Sequence, residues 1–559
     1  MSKYLYGAAV QGIQDFIFQT NKLQEIIGAS ELVEQVCTTE FARALGLKGE
    51  EEKLLQQLSI DRNAIVNAAG NIKYIFDDYD ACKKVVRTFP KKIIEHAPGI
   101  TISQAVVKYG EVLSNEDRDQ GGTPEAKDFE NAVLKLEEKL RTQRNRPMHS
   151  PTIGLMGIER SRQTGLPVVY KKEKPDSHTD AGTWKKLYDE EKRRQTTLKL
   201  CKDAFGENVE PEQVAYNIED MTGDNDWIAI IHADGNGLGQ VVQKIGTEEQ
   251  KFKAFSQDLD AATKQAAREA FASLDIKLEK GERYPIRPIV LSGDDHTLIC
   301  RADLAIPYVK TFIEKFEYHT KQKLADKLWY KDKDTCEKKD IFTDGSKFLS
   351  ACAGIAFIKS SYPFYYGYQL AKELCGVAKK DTKEKYGFDH GNLPASCIMF
   401  HKVQDSFVTN YDDIVKRELT PVKADKERNV IGYSLKFGPY YINKVSQMNV
   451  PDGRWTVYTL TEENADKLLK EDMQGVKTGL RQWLTAVADN PEFAKQRMER
   501  LKEILTQRKF SDALAIIKAA FDDWEDEKNY KWKEDEKKEK RFPIYDMLVL
   551  NTINNQKTK

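Results

Sequence analysis

Residues 226–242 read DWIAIIHADGNGLGQVV, and residues 285–302 read PIRPIVLSGDDHTLICRA. In the first stretch an apolar run ends at Asp234 and passes through Gly235, Asn236, Gly237 and Gly239 into a helical pattern. A short apolar run bounded by turn residues predicts a buried strand. The second stretch holds two strand-like runs about Ser292, Gly293, Asp294 and Asp295, which predicts a hairpin. Helices are expected over 248–273 and 303–321, and a further strand over 347–359. The order is then β-α-β-β-α-β, a ferredoxin-like unit. In such a unit the first strand lies beside the hairpin, so Asp234 and the Asp294–Asp295 pair converge.

Clustered carboxylates repel unless a cation neutralises them, and oxygen ligands of this kind suit Mg²⁺ or Mn²⁺. Two such ions, about 4 Å apart, activate a 3′-hydroxyl and stabilise a leaving pyrophosphate. Asp234, Asp294 and Asp295 are therefore the expected catalytic and metal-binding residues. The glycines allow backbone N–H groups to approach a triphosphate, and the helix that follows adds favourable partial charge. Gly235, Asn236, Gly237, Gly239, Ser292 and Gly293 are thus expected to contact nucleotide. Lys379, on the helix after the 347–359 strand, is expected to reach a terminal phosphate. A calcium loop is excluded, because Ile245 stands where the twelfth-position Glu belongs.

Working outward, residues 1–110 repeat this order. A strand is expected at 4–10, a helical stretch at 13–45, a hairpin turning at AAGN (68–71), a helix at 79–96 and a strand at 101–109. Val10 to Asn71 spans 61 residues, and Asp234 to Asp294 spans 60. The second copy is longer only by the lysine-rich excursion at 322–347, whose Trp329 and Tyr330 are expected to meet a partner. The first copy lacks the carboxylates, since Val10 or Gln11 stands at the Asp234 position and Asn71 at the Asp294 position. It is expected to hold a nucleotide through Ser30 and Asn71, with Asp15 only a helix N-terminal charge. The predicted fold class is α+β, with two ferredoxin-like (palm) domains at 1–110 and 222–405. A connecting region with little core spans 111–221, and 406–559 is mainly helical.

The 559-residue chain carries 87 Lys plus Arg against 88 Asp plus Glu, a net charge of −1. Bulk electrostatic attraction to nucleic acid or anionic membrane is thereby excluded. The eight cysteines include no C-x-x-C pair and read as core residues, so no zinc is expected. No apolar stretch reaches membrane-spanning length and no signal peptide is legible, which predicts a cytoplasmic protein.

GIQDFIF with KLQEIIGASELVEQV, AAGN, HADGNGLG, SGDDHTLIC and AGIAFIKSSYPFYYGYQLAKELCGVAKK together resemble the large polymerase–cyclase subunit of type III CRISPR effector complexes. The resemblance implies condensation of ATP into cyclic oligoadenylates, and partnership with RNA-guided effector subunits and guide or target RNA. It maps the family's acidic pair onto Asp294 and Asp295, its first-strand aspartate onto Asp234, and its glycine turn onto Gly293, with Ser292 in place of a more usual glycine. The sequence departs from the family by having no HD dipeptide, and no cysteine zinc ligands over 150–169. A diguanylate-cyclase-like enzyme, a palm-domain scaffold and a templated polymerase are the competing readings.

Overall fold

The computed structural model describes residues 3–554 apart from 69, 109–123, 146–156, 171–177, 188–189, 223–225, 246–248, 333–334, 336, 405–409, 424–431, 443–449, 452, 469–473 and 522–538. The first lobe holds β1 (Tyr4–Gln11), β2 (Ala64–Ala68), β3 (Asn71–Phe76) and β4 (Thr101–Lys108), in the order β2-β3-β1-β4. Its strands are antiparallel throughout, with Tyr4 opposite Phe76 and Lys108. That is the ferredoxin-like order. Helix α1 (Leu23–Gln35) leads into the turn Val36–Glu40, which packs on β2, and α2 (Tyr79–His96) packs on β1, β3 and β4. Helix α2 buries Cys82, Val85, Phe89 and Ile93, one stripe of the helical period, and starts where the Asp78 side chain accepts from the Ala81 N–H at 2.9 Å.

The helical stretch expected over 13–45 is interrupted. A short helix, Ile13–Ile17, ends at Phe18, and α1 begins only at Leu23. The intervening Gln19–Lys22 is polar, and Asn21 is drawn away to accept from the Phe364 backbone N–H at 3.0 Å. Asp15 lies in the first turn of the short helix, as expected.

The connecting region supplies more core than its composition suggests. Helix α3 (Pro124–Arg144) covers the other face of the first sheet, placing Phe129, Ala132, Leu136 and Leu140 against Leu5, Ile65, Ile75 and Val107. Gly7 admits it, since a Cβ there would stand 2.6 Å from a Leu136 methyl. The helix is amphipathic at the right spacing, so its core face was present among the charges.

The second lobe is a six-stranded sheet made of β5 (Trp227–Gly235), β6 (Ile286–Ser292), β7 (Asp295–Arg301), β8 (Ala351–Lys359), β9 (Cys397–Lys402) and β10 (Tyr440–Tyr441), in the order β10-β9-β8-β5-β7-β6. Strands β5 to β8 reproduce the first lobe's order. Strand β9 adds in parallel to β8, and β10 pairs antiparallel with β9. One sheet therefore draws strands from both sides of residue 405, the expected boundary. Helices α4 (Glu249–Ser273) and α5 (Ala305–Leu324) pack together, while α6 (Phe364–Tyr386) lies along β8 and β5. The approach of α6 is so close that a Cβ on Gly354 would stand 1.9 Å from the Ala371 carbonyl oxygen and 2.4 Å from the Cys375 nitrogen.

Beyond the sheet lie helices Gln474–Asp489, Pro491–Gln507, Ser511–Phe521 and Ile544–Asn554. The charge run at 524–541 falls outside the described residues except Glu539–Arg541, which pair in parallel with Gly432–Ser434. The seven described cysteines are free and buried.

Candidate active site

Strand β5 is central and its WIAIIHA run is buried on both faces, so the chain first meets solvent at Asp234 and turns there. Gly237 makes that turn at φ 70°, and the helix Leu238–Ile245 follows. Across from it, Ser292 pairs with Asp295 and the two-residue loop Gly293–Asp294 closes the β6–β7 hairpin. Gly293 adopts φ 63° while Asp294 stays at negative φ, the pattern of a hairpin turn with glycine at its first central position. The Thr263 hydroxyl in α4 bonds the Gly293 carbonyl. In the β5–β7 register Ala233 faces His296 and His232 faces Thr297, which brings Asp234 beside Asp295 at the same sheet end.

The three aspartates do converge. Asp294 is hydrogen-bonded to Asp234, and burial followed by the Asp234 charge pushes its carboxyl up to about 8. Like charges this close disfavour ionisation of Asp294 unless a cation neutralises them. Gly235 makes the approach possible, because a Cβ there would stand 2.9 Å from Asp294 Oδ2. Burial raises Asp295 too, against the opposing pull of His232.

Lys379 reaches this group rather than open solvent. Its Nζ lies 2.5 Å from Asp234 Oδ2 and donates to the Gly235 carbonyl at 2.8 Å. Burial works against its charge, but Asp234 together with Cys375 and Cys352 outweighs burial and lifts its pKa. An all-oxygen acidic set with one borrowed lysine fits hard divalent cations in its chemistry. Among the described residues, however, no group of three or more His, Cys, Asp or Glu is arranged as a ready metal cage. Lys379 supplies positive charge there instead.

Other expected residues fall differently. Asn236 is 1% exposed and faces inward, its amide donating to Ser350 Oγ at 3.0 Å and its Oδ1 buried without a partner. Its backbone N–H is also taken, by the Ser350 carbonyl at 2.8 Å. Asn236 thus shapes the turn through Ser350. Gly237 is covered by Phe388, whose ring would meet a Cβ at 2.7 Å, whereas Gly239 faces open space. Ser30 donates its hydroxyl to the Ile289 carbonyl on β6, so it ties the two lobes together. Asn71 is exposed at the start of β3, opposite Ala9 in the first sheet.

In the excursion, Trp329–Lys331 pairs with Lys338–Asp340 as a small hairpin. Lys251 sits 3.4 Å and Lys338 4.2 Å from the Trp329 ring centroid, and Lys244 lies 5.0 Å from that of Tyr330. The rings expected to stack on a partner's bases are engaged by the chain's own lysines.

Sequence reasoning overlooked His232 and Thr297. His232 Nδ1 lies 3.4 Å from Asp295 Oδ1 and 3.1 Å from Thr297 Oγ1, and that hydroxyl is 3.3 Å from Asp295 Oδ1. The signal was available: residues two apart on a strand share a face, so 232 accompanies 234 and 297 accompanies 295.

Residues 227–387 match the family described as Cas10/Cmr2, second palm domain. The fold is similar to a chain of the Csm1-Csm4 cassette in complex with pppApA, at TM-score 0.51 and 13% identity over 99% of this chain and 69% of that one. The cassette in complex with cA3 gives TM-score 0.51 at 12% identity, with 99% and 69% covered. Against the cassette in complex with AMPPNP the TM-score is 0.42 at 14% identity, and the match covers 68% of this chain but only 53% of that one, about half its length. No curated protein matches the sequence. Among the described residues no helix is long and apolar enough to cross a membrane.

Proposed function

Taking as premise that residues 227–387 carry a Cas10/Cmr2-type second palm and that the chain is Cas10-like, we propose that it is a nucleotidyltransferase condensing ATP into cyclic oligoadenylates. The observation that carries this reading is the convergence of Asp234, Asp294 and Asp295 beside a glycine turn at one sheet end. In this reading the aspartates hold two Mg²⁺ or Mn²⁺ ions. What such ions supply when bound is activation of the attacking 3′-hydroxyl and charge neutralisation at the leaving pyrophosphate.

The chain's own residues do the rest. Asp294 gives up its proton on loading, and Asp295 is held by Thr297 and His232. Lys379, freed from Asp234, turns to the triphosphate, whose oxygens offer it a stronger partner than a neutralised carboxylate. Gly235 and Gly239 leave the backbone beside Asp234 open to phosphate oxygens, and Ser292 and Gly293 border the same end. The first lobe, through Asn71 at its matching sheet end, completes the cleft and contacts nucleotide. The remainder of the reading is a division at 110, 221 and 405, and action within a type III CRISPR effector alongside other subunits and guide or target RNA. The pppApA and cA3 complexes of the similar structures support the substrate class.

The test is incubation of the purified chain with each labelled NTP and Mg²⁺ or Mn²⁺, with products identified by mass spectrometry. Cyclic oligoadenylates from ATP alone are expected. Cyclic dinucleotides from GTP would favour the diguanylate-cyclase-like alternative, and no product with any nucleotide, even with target RNA and partner subunits added, would favour a scaffold.

A further inference from the structure

Lys379 already sits on the oxygens that a divalent cation would use. Its Nζ lies 2.5 Å from Asp234 Oδ2 and 2.8 Å from the Gly235 carbonyl oxygen, to which it donates. A carboxylate and a backbone carbonyl are the oxygen types that hard divalent cations take. One ammonium between them leaves no room for a second cation on the same pair. Two positive charges a few ångströms apart also repel, most strongly where water is scarce. The lysine side chain is only 18% exposed, so solvent screens that repulsion little. Asp234 is its one ion-pair partner among the described residues, so no other carboxylate anchors it. Nor is it wedged in place. Gly376, three residues earlier and so beside it on α6, has nothing within 4 Å of where a Cβ would stand.

We propose that Lys379 is an autoinhibitory cation: in the nucleotide-free chain it occupies the Asp234 and Gly235 oxygens and keeps a divalent cation off them, and a nucleoside triphosphate opens the site by drawing the ammonium onto its own oxygens. Nucleotide and cation binding are then coupled beyond what the phosphates themselves chelate, and by linkage each strengthens the other by the same factor. A chain that meets the cation before the nucleotide stays unloaded at Asp234. The inference rests on the reading of Asp234 as a cation ligand. It adds an order of loading to that reading, set by one side chain of α6.

The test uses the full chain and the variants Lys379→Met, Lys379→Gln, which keeps a donor for the Gly235 carbonyl, and Lys380→Met, which removes an exposed neighbouring charge. Binding of Mn²⁺ alone is followed by electron paramagnetic resonance of the free ion, with thermal melting beside it. Without nucleotide, both Lys379 variants are expected to bind Mn²⁺ at least about 10-fold more tightly than the wild type, and Lys380→Met to match the wild type. The titrations are repeated on chains saturated with AMPPNP and cleared of unbound nucleotide. There the advantage of the Lys379 variants should disappear, because in the wild type the lysine has moved to the phosphates. Nucleotide-free affinity that is unchanged or weaker in folded Lys379→Gln overturns the inference, while product formation by the wild-type chain would leave the cyclase reading standing. An advantage that persists with AMPPNP overturns the transfer to the triphosphate, leaving only repulsion at a distance. Tighter Mn²⁺ binding in the Lys379 variants of a chain that makes no product supports the inference while removing the cyclase reading. Mn²⁺ binding by none of the chains, with or without AMPPNP, overturns both.

Discussion

Replacing Asp294 and Asp295 together by asparagine is expected to lower nucleotide condensation at least about 1,000-fold without unfolding the chain. Both substitutions keep the side-chain shape while removing charge where the proposed ions bind, and loss of that stabilisation is worth several kcal/mol in the transition state. Stability should move the other way. Asp294 titrates at about 8 in the fold, because burial and Asp234 disfavour its charge, against about 3.9 unfolded. Between those values the native state binds more protons than the unfolded one, so metal-free stability falls as pH rises through that window and levels off above about 8. The asparagine variant loses this slope. Melting temperatures from pH 5 to pH 9 without divalent ions should therefore decline for the wild type and stay flatter for the variant. Full activity in the variant would remove the aspartates from the mechanism.

Gly354→Ala is expected to be the most damaging single methyl group in the second lobe. The added Cβ would meet two backbone atoms of α6, which cannot rotate aside as a side chain could. Relief requires moving the helix off β8, at about 3 kcal/mol or more. Ala371 and Cys375, the residues struck, lie one to two turns before Lys379 on that helix, so activity should be lost with stability. Gly376→Ala is the control, because a Cβ there has nothing within 4 Å and alanine favours a helix. Equal melting of the two variants would show that α6 is not seated on Gly354.

The ferredoxin-like order of both lobes was legible because each strand is a short apolar run, several broken by turn glycines such as Gly12, Gly70, Gly237 and Gly293, and most helices keep their period. The aspartate constellation was legible for a related reason. Asp234 ends a buried strand and Asp294 sits in a two-residue hairpin loop, so topology alone brings them to one sheet end. Asn236 was misjudged because a residue in a polar turn can face either way, and Ser350, which turns it inward, is more than a hundred residues distant. Ser30 was misjudged likewise, since nothing near it in sequence announces the Ile289 carbonyl. Helix α3 was undervalued because its charged composition hid a stripe of apolar positions at helical spacing. Contacts between lobes, such as Gln14 with Lys372, leave no local periodicity at all.

The most direct test of the acidic end is calorimetric titration of Mn²⁺ into the AMPPNP-loaded chain at pH 7, in two buffers of different ionisation enthalpy. Below about 8 Asp294 is protonated, and a cation bound at its carboxylate must displace that proton. The account predicts that close to one proton is released on binding, and that both the release and most of the affinity vanish in Asp294→Asn. Binding without proton release, or binding unchanged by that substitution, would contradict it.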